Sequence, residues 1–299
     1  MSYVEVGPWS DIAPPAGAVV VGYNGQDHSR SALAWAAAEA VAADVTLLVL
    51  YAANYSGMSG PEGEGLLERE PGALEAAEAV TARGVQEALE HHSMLRAVGA
   101  TEVESPARAL IEASRTASLV VLGSRGRGRV LGALLGSVAF NVAARAECPV
   151  IVVKDEAADR VVGPEHRVVV GTDGSPQARA AVDFAAERAA TASAELHVVA
   201  ATGEARESVS TTWLHEIAAQ VAAGATEQVR TTHPDLVVTS QVADGPAEQT
   251  LVACSADAGM VVLGTRGRGA FEGMVLGSVS HAVIHGARCA VAVVDHVMR

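Results

Sequence analysis

Apolar positions along the chain fall into short unbroken runs, and the stretches between them are longer and rich in alanine. Runs at residues 18–22, 45–51, 119–123 and 150–153, and again at 168–171, 195–200, 236–242, 260–264 and 291–294, are rich in Val, Leu and Ile, with a further one near 100–103 (ATEV). Continuous runs of this length suit strands buried on both faces, as parallel sheets require. The run at 100–103 is the weakest. Segments such as 31–43 and 177–190 carry alanine with interspersed charge and favour helix. Strand–helix alternation of this kind predicts an α/β fold with a doubly wound parallel sheet.

The pattern occurs twice. VVVGYNGQDHSRSALAWAAAEA from Val19 lies over VVVGTDGSPQARAAVDFAAERA from Val168, an offset of 149 residues. VVLGSRGRG from Val120 matches VVLGTRGRG from Val261 at an offset of 141, which the closing segments LLGSVAFNVAARAECPVIVV and VLGSVSHAVIHGARCAVAVV keep. A period near 145 residues is domain-sized, so the chain reads as a duplicated domain rather than a solenoid. We expect one domain over residues 1–157, with a short N-terminal extension, and a second over 158–299, joined through the polar stretch 154–165. Residues 55–72 (YSGMSGPEGEGLLEREPG) read as an insertion of the first copy.

With 299 residues, each half is long enough for its own core. A formal net charge of −14 disfavours nucleic acid as the main partner, because non-specific affinity for its backbone comes from a basic surface. No apolar run approaches the ~18 residues of a membrane span, and the N-terminus lacks the basic start and apolar core of a signal peptide. Three cysteines argue against a disulfide framework and fit a reducing compartment. A cytoplasmic protein is the expectation.

The chemistry concentrates after the fourth strand of each copy. There the chain runs Gly123-Ser124-Arg125-Gly126, nine residues including Arg127 and Gly128, then Gly136-Ser137. The second copy runs Gly264-Thr265-Arg266-Gly267, nine residues including Arg268 and Gly269, then Gly277-Ser278. A strand end leading into a glycine-rich turn lets bare main-chain N–H groups approach an anion. Ser137 and Ser278 would open a helix, whose unpaired N–H groups and positive dipole end favour phosphate. A purely structural reading, tight turns and an N-cap, stands beside this one. The segments between the paired glycines differ (RGRVLGALL against RGAFEGMVL) while both spacings persist, which favours a shared requirement. The loop is not a P-loop, since Arg129 and Val130 follow Gly128 where Lys and Ser/Thr would be needed. A dinucleotide fingerprint would belong after the first strand, not the fourth. The first strands end in Gly22-Tyr23-Asn24-Gly25 and Gly171-Thr172-Asp173-Gly174-Ser175, tips expected beside the fourth strand at the topological switch point. Asp173 could accept hydrogen bonds from a base or ribose, although Asp-Gly-Ser is also an ordinary turn before a helix.

With the spaced glycine motif in both halves, VVVGTDGS, and the closing CPVIVV and CAVAVV strands, the sequence resembles the universal stress protein family in its tandem form. The resemblance implies two Rossmann-like (adenine nucleotide α-hydrolase-like) domains, each a five-stranded parallel sheet of order 3-2-1-4-5 flanked by helices. It also implies ATP binding, with magnesium bridging the phosphates. Carried over by position, adenine and ribose contacts fall on Gly22, Tyr23, Asn24 and Val49, and on Gly171, Thr172, Asp173 and Val198. Phosphate contacts fall on Gly123, Ser124, Arg125, Gly126, Arg127, Gly128, Gly136, Ser137 and Val138. In the second half they are Gly264, Thr265, Arg266, Gly267, Arg268, Gly269, Gly277, Ser278 and Val279. Asn24 stands where the family has aspartate, and Gln26 replaces its serine. Loss of a charge-assisted hydrogen bond costs about 1 kcal/mol, roughly fivefold in affinity, so the second half is expected to bind more tightly. Alanine at Gly264 or Gly277 is expected to put a methyl group where phosphate approaches.

Other constellations carry less. His281 and His285 stand four apart on an expected helix without a third ligand and read as ordinary helix histidines. Cys148, Cys254 and Cys289 read as packing residues, and Trp35 and Phe184 as core. No nucleophile–base–orienter set recurs in both halves, so binding is favoured over catalysis; at most slow ATP hydrolysis or autophosphorylation is left open. The resemblance implies a nucleotide-dependent regulator or sensor of the stress response, dimeric as whole chains, against the alternatives of a ligand-free interaction scaffold or a weak ATPase.

Overall fold

The computed structural model describes residues 5–9, 12, 15–52, 72–92, 94–124, 136–155, 160–203, 210–268 and 276–295. The insertion read at 55–72 therefore lies almost wholly outside the described residues. Two compact units result, one from the described residues up to Asp155 and one from those after it.

In chain order the first unit contains β1 (Glu5–Pro8), β2 (Val19–Gly22), α1 (Asp27–Ala42), β3 (Leu47–Ala52) and α2 (Ala73–His91). It continues through β4 (Ala97–Glu102), α3 (Pro106–Ala113), β5 (Leu119–Gly123), α4 (Ser137–Arg145) and β6 (Val150–Val153). The second unit begins with β7 (Arg167–Gly171), α5 (Pro176–Thr191), β8 (Leu196–Ala201) and α6 (Thr211–Thr232). It is completed by β9 (Val238–Ala243), α7 (Ala247–Cys254), β10 (Ala258–Gly264), α8 (Ser278–Gly286) and β11 (Ala290–Val294).

Within each unit all pairings between these strands are parallel. The second sheet runs β9-β8-β7-β10-β11, which is 3-2-1-4-5 in the numbering of the repeat. The first runs β1-β4-β3-β2-β5-β6, the same order with one strand more. That extra strand corrects the expectation of five strands in the first unit. EVGP has neither alternation nor a β-branched run to announce it. As an edge strand it tolerates Pro8, whose missing N–H costs no ladder bond there. Val6 pairs with Gly99, where a Cβ would stand only 3.0 Å from the Val6 side chain.

Strands β2, β3, β5 and β7, β8, β10 are buried along almost their whole length. Helices α1 and α2 pack together on one face of the first sheet's strands, and α3 and α4 contact each other; α5 with α6 and α7 with α8 repeat this in the second. Alanine lets the helices approach closely: Ala32, Ala36 and Ala40 of α1, and Ala181, Ala185 and Ala189 of α5, are fully buried. Phe184 joins this core, whereas Trp35 is half-buried, short of the core place expected for it.

Helix α5 starts where its sequence says it should. Gly174 takes φ +75° in the turn, Pro176 opens the helix, and the Ser175 hydroxyl caps it by accepting the Ala178 N–H at 3.2 Å. Such a cap contributes about 1 kcal/mol. The counterpart on α1 is Gln26, which makes no side-chain cap.

Candidate functional site

The second unit carries a cavity of about 310 Å³ at the carboxyl ends of β7 and β10, where the chain's crossovers diverge. Its polar wall comes from the β7 tip (Gly171, Thr172, Asp173), from Gly264, Arg266 and Gly267 after β10, and from Gly277 to Ser280 at the start of α8. Its apolar wall is Val199 and Ala201 of β8, Ala247 and Leu251 of α7, and Leu263. Strand tips with glycine make the hollow possible. A Cβ on Gly171 would come within 2.6 Å of Leu263 and 3.0 Å of Leu251, and one on Gly22 within 2.6 Å of Leu122 and 3.3 Å of Leu110.

Nine residues expected at the second site line this cavity: Gly171, Thr172, Asp173, Gly264, Arg266, Gly267, Gly277, Ser278 and Val279. Val198 does not. Successive side chains of a strand point to opposite faces, so Val199 and Ala201 reach the cavity and Val198 is buried on the other side. Val49, its counterpart, likewise faces α2, where a Cβ on Gly84 would lie 3.0 Å from it. Thr265 is buried, with its N–H on Val294 O at 2.9 Å and its hydroxyl on Asp295 at 3.0 Å. Arg268 turns toward the β7 tip; a Cβ on Gly174 would lie 2.8 Å from its Nη2. Gly269, Arg125, Gly126, Arg127 and Gly128 lie outside the described residues. The apolar wall was absent from the motif-based reading; alternation along β8 puts Val199 and Ala201 on one face, but nothing in the strand says which face meets the cavity.

Main-chain accounting shows which donors are left for a ligand. The Gly277 N–H donates to Thr265 O at 2.8 Å, and the Arg268 N–H to Asp173 Oδ2 at 2.6 Å. The N–H groups of Arg266 and Gly267 have no partner among the described residues. Ser278 is the first residue of α8, after Gly277 as N-cap, and no side chain caps the helix. The N–H groups of Ser278, Val279 and Ser280 therefore precede the first intrahelical bond, His281 N to Gly277 O at 2.9 Å. Ser280 is tied by its hydroxyl to Gly264 O at 2.8 Å, while the exposed Ser278 hydroxyl makes no bond among the described residues. Ser137 opens α4 in the same way after Gly136, whose N–H donates to Ser124 O at 3.0 Å.

The first unit's tip differs. Tyr23 is buried toward α2, where its hydroxyl donates to Glu87 at 2.9 Å and a Cβ on Gly84 would meet its ring at 2.7 Å. Burial, reinforced by Glu87, pushes this phenol's pKa above its ordinary 10.0. Thr172, in its place, is small, and its hydroxyl accepts the Gly174 N–H at 3.2 Å. Asn24 Oδ1 accepts the Gln26 N–H at 3.1 Å; Asp173 Oδ1 accepts the Ser175 N–H at 2.9 Å. Near the end of β6, His28 pairs with Asp155, which also accepts from Ser31 at 3.0 Å.

Comparison with known proteins now decides the lineage. The sequence profile of the universal stress protein family matches residues 16–154 and 165–295. The chain belongs to the universal stress protein family. A universal stress protein of Mycobacterium tuberculosis is 36% identical over 288 residues, covering 92% of this chain and 96% of the relative. A second from the same organism is 32% identical over 290 residues, 92% and 95% of the two chains. In architecture the chain is similar to the crystal structure of a universal stress protein from Archaeoglobus fulgidus, with a TM-score of 0.66 at 23% identity over 93% of this chain and 98% of that one. The family assignment thus covers both repeats, and the tandem arrangement is shared along nearly the full length of these relatives. Among the described residues, no helix is long and apolar enough to cross a membrane, and no three His, Cys, Asp or Glu side chains gather as metal ligands. His281 and His285 are exposed on α8.

Proposed function

We propose that the chain is an adenine-nucleotide-binding stress protein, taking ATP with magnesium on its phosphates in each repeat and changing conformation or partners with occupancy. The observation that carries this reading is the set of main-chain donors on the residues that line the second cavity: the Arg266 and Gly267 N–H groups, without partners among the described residues, and a helix start whose first three N–H groups and serine hydroxyl are uncapped among them. Donors of this kind, with a helix dipole behind them, favour a multiply charged anion. Arg266 adds a side-chain cation to the wall.

The rest of the cavity fits the other end of such a ligand. Val199, Ala201, Leu251 and Leu263 offer an apolar slot for a flat heterocycle, and the volume lies at the lower end of small-molecule sites, about 300–1,000 Å³. Asp173 is the sole carboxylate among the lining residues, and both its oxygens already accept N–H groups. A magnesium ion would therefore be held by the phosphates rather than by a protein cage.

The reading places the chain in the cytoplasm as a dimer of tandem chains, with the second repeat the tighter site because Asn24 replaces aspartate in the first. Isothermal calorimetry with Mg-ATP should show binding, and denaturing freshly purified protein should release adenine nucleotide identifiable by mass spectrometry. No heat and no released nucleotide would overturn the proposal. Equal affinities of the two sites, resolved with Asn24→Asp and Asp173→Asn, would overturn the ranking.

A further inference from the structure

One side chain at the second site joins two stretches of chain that are 95 residues apart. We propose that Asp173 is a positioning residue, a latch that holds the glycine-rich loop after β10 in its donor geometry before any ligand arrives. Resting on the nucleotide reading above, this gives Asp173 a role at the phosphate end of the site, exerted through the loop it holds.

The Asp173 carboxylate is used at both oxygens. Oδ1 accepts the Ser175 N–H at 2.9 Å and shapes the turn into α5; Oδ2 accepts the Arg268 N–H at 2.6 Å, a short charge-assisted bond. Gly267 packs so closely on the carboxylate that a Cβ there would collide with Oδ2. From the other side Arg179 Nη1 holds Gly174 O at 2.8 Å, and the Arg268 guanidinium lies over Gly174.

The consequence falls on the two residues between the fixed points. Thr265 is pinned at one end by Val294 O and Asp295, and Arg268 at the other by Asp173. Arg266 and Gly267, which line the cavity and whose N–H groups have no partner among the described residues, are suspended between them. Without the latch these two donors lose one of their two anchors. Asparagine cannot replace aspartate here, because its single oxygen can serve the turn while its NH₂ group cannot accept from Arg268.

The test compares the full-length chain with Asp173→Asn, which keeps shape and the turn acceptor, and with Gly267→Ala, which displaces the carboxylate from the loop side. Hydrogen exchange of the ligand-free protein at the Arg268 amide should be about tenfold faster in both variants, with α5 and β10 unchanged. Calorimetry should show Asp173→Asn weakening Mg-ATP about tenfold and leaving adenosine, which has no phosphates, unchanged. Unaltered loop exchange overturns the latch, and so does an equal loss for adenosine and ATP, which would mark direct contact with base or ribose. If the unmodified chain binds neither compound, the nucleotide reading fails and the exchange data alone decide the latch.

Discussion

Glycine in the loop motif makes room for the protein itself. A Cβ on Gly264 would stand 2.8 Å from Gln177 Cβ and 2.9 Å from its carbonyl carbon, at the first turn of α5. Gly264→Ala would thus push strand and helix apart, a different mechanism from the expected methyl group in the path of phosphate. Gly277 has its nearest neighbour in Thr265 O, 3.3 Å from a Cβ. None of the three cysteines is in a disulfide. Burial pushes the Cys148 thiol up to about 12, and Cys254 is raised as well, chiefly by burial. Iodoacetamide at pH 8 should therefore leave Cys148 unmodified in the folded chain and label it fully in urea; rapid native labelling, read by mass spectrometry, would contradict this. Above the ordinary value of 9.0 the unfolded thiol ionises while the folded one stays protonated, so Cys148 makes stability fall as pH rises from 9 toward 12.

At the scale of elements, the strands expected from apolar runs form within two or three residues of their predicted ends, because a buried parallel strand needs an uninterrupted apolar stretch. In strand β8 a histidine interrupts the apolar stretch. His197 is 8% exposed where the first repeat has Leu48; its Nδ1 lies 2.8 Å from the Thr239 hydroxyl and its Nε2 3.3 Å from Gln241 Oε1. Burial first, then the nearby Arg167 charge, lowers its pKa below 6.5, while Gln241 and Glu195 act in the opposite sense. As pH falls below that ordinary value the unfolded chain takes up the proton more readily than the folded one, so stability is lost on acidification. His197→Leu should flatten the pH dependence of denaturant midpoints between about pH 5 and 6.5; an unchanged slope would show that the acid response lies elsewhere.

On the scale of the whole molecule, one architecture is used twice and its two tips have diverged. The same Gly-to-Leu contacts build the floor in both units, through Gly22 with Leu122 and Gly171 with Leu263. Above that floor, Tyr23 is committed to Glu87, and Asn24 has one acceptor oxygen where Asp173 has two. A chain of net charge −14 repels free polyphosphate, so magnesium should tighten binding. Ligand binding to the folded state should also raise stability, by about 2.7 kcal/mol at a concentration one hundred times Kd. In calorimetric melting, Mg-ATP should therefore raise the unfolding temperature of the chain, and Asp173→Asn should reduce that rise; an equal rise in both would contradict the assignment of the tighter site to the second repeat.

Period and composition by themselves determined the duplication, the parallel α/β class and the glycine motifs, because each follows from local rules: apolar runs for buried strands, alanine for close-packed helices, glycine where chains meet. The edge strand Glu5–Pro8 was not legible, since its partner β4 lies about ninety residues away and nothing local in EVGP requires pairing. Nor was the role of Asp173, whose Asp-Gly-Ser sequence describes only the turn. Its second oxygen finds the Arg268 N–H through the adjacency of β7 and β10, strands separated by most of the domain in sequence and brought together by the order of the sheet. Tertiary structure likewise chose Val199 over Val198, because which face of a strand meets a cavity depends on what packs against the sheet and not on the strand alone.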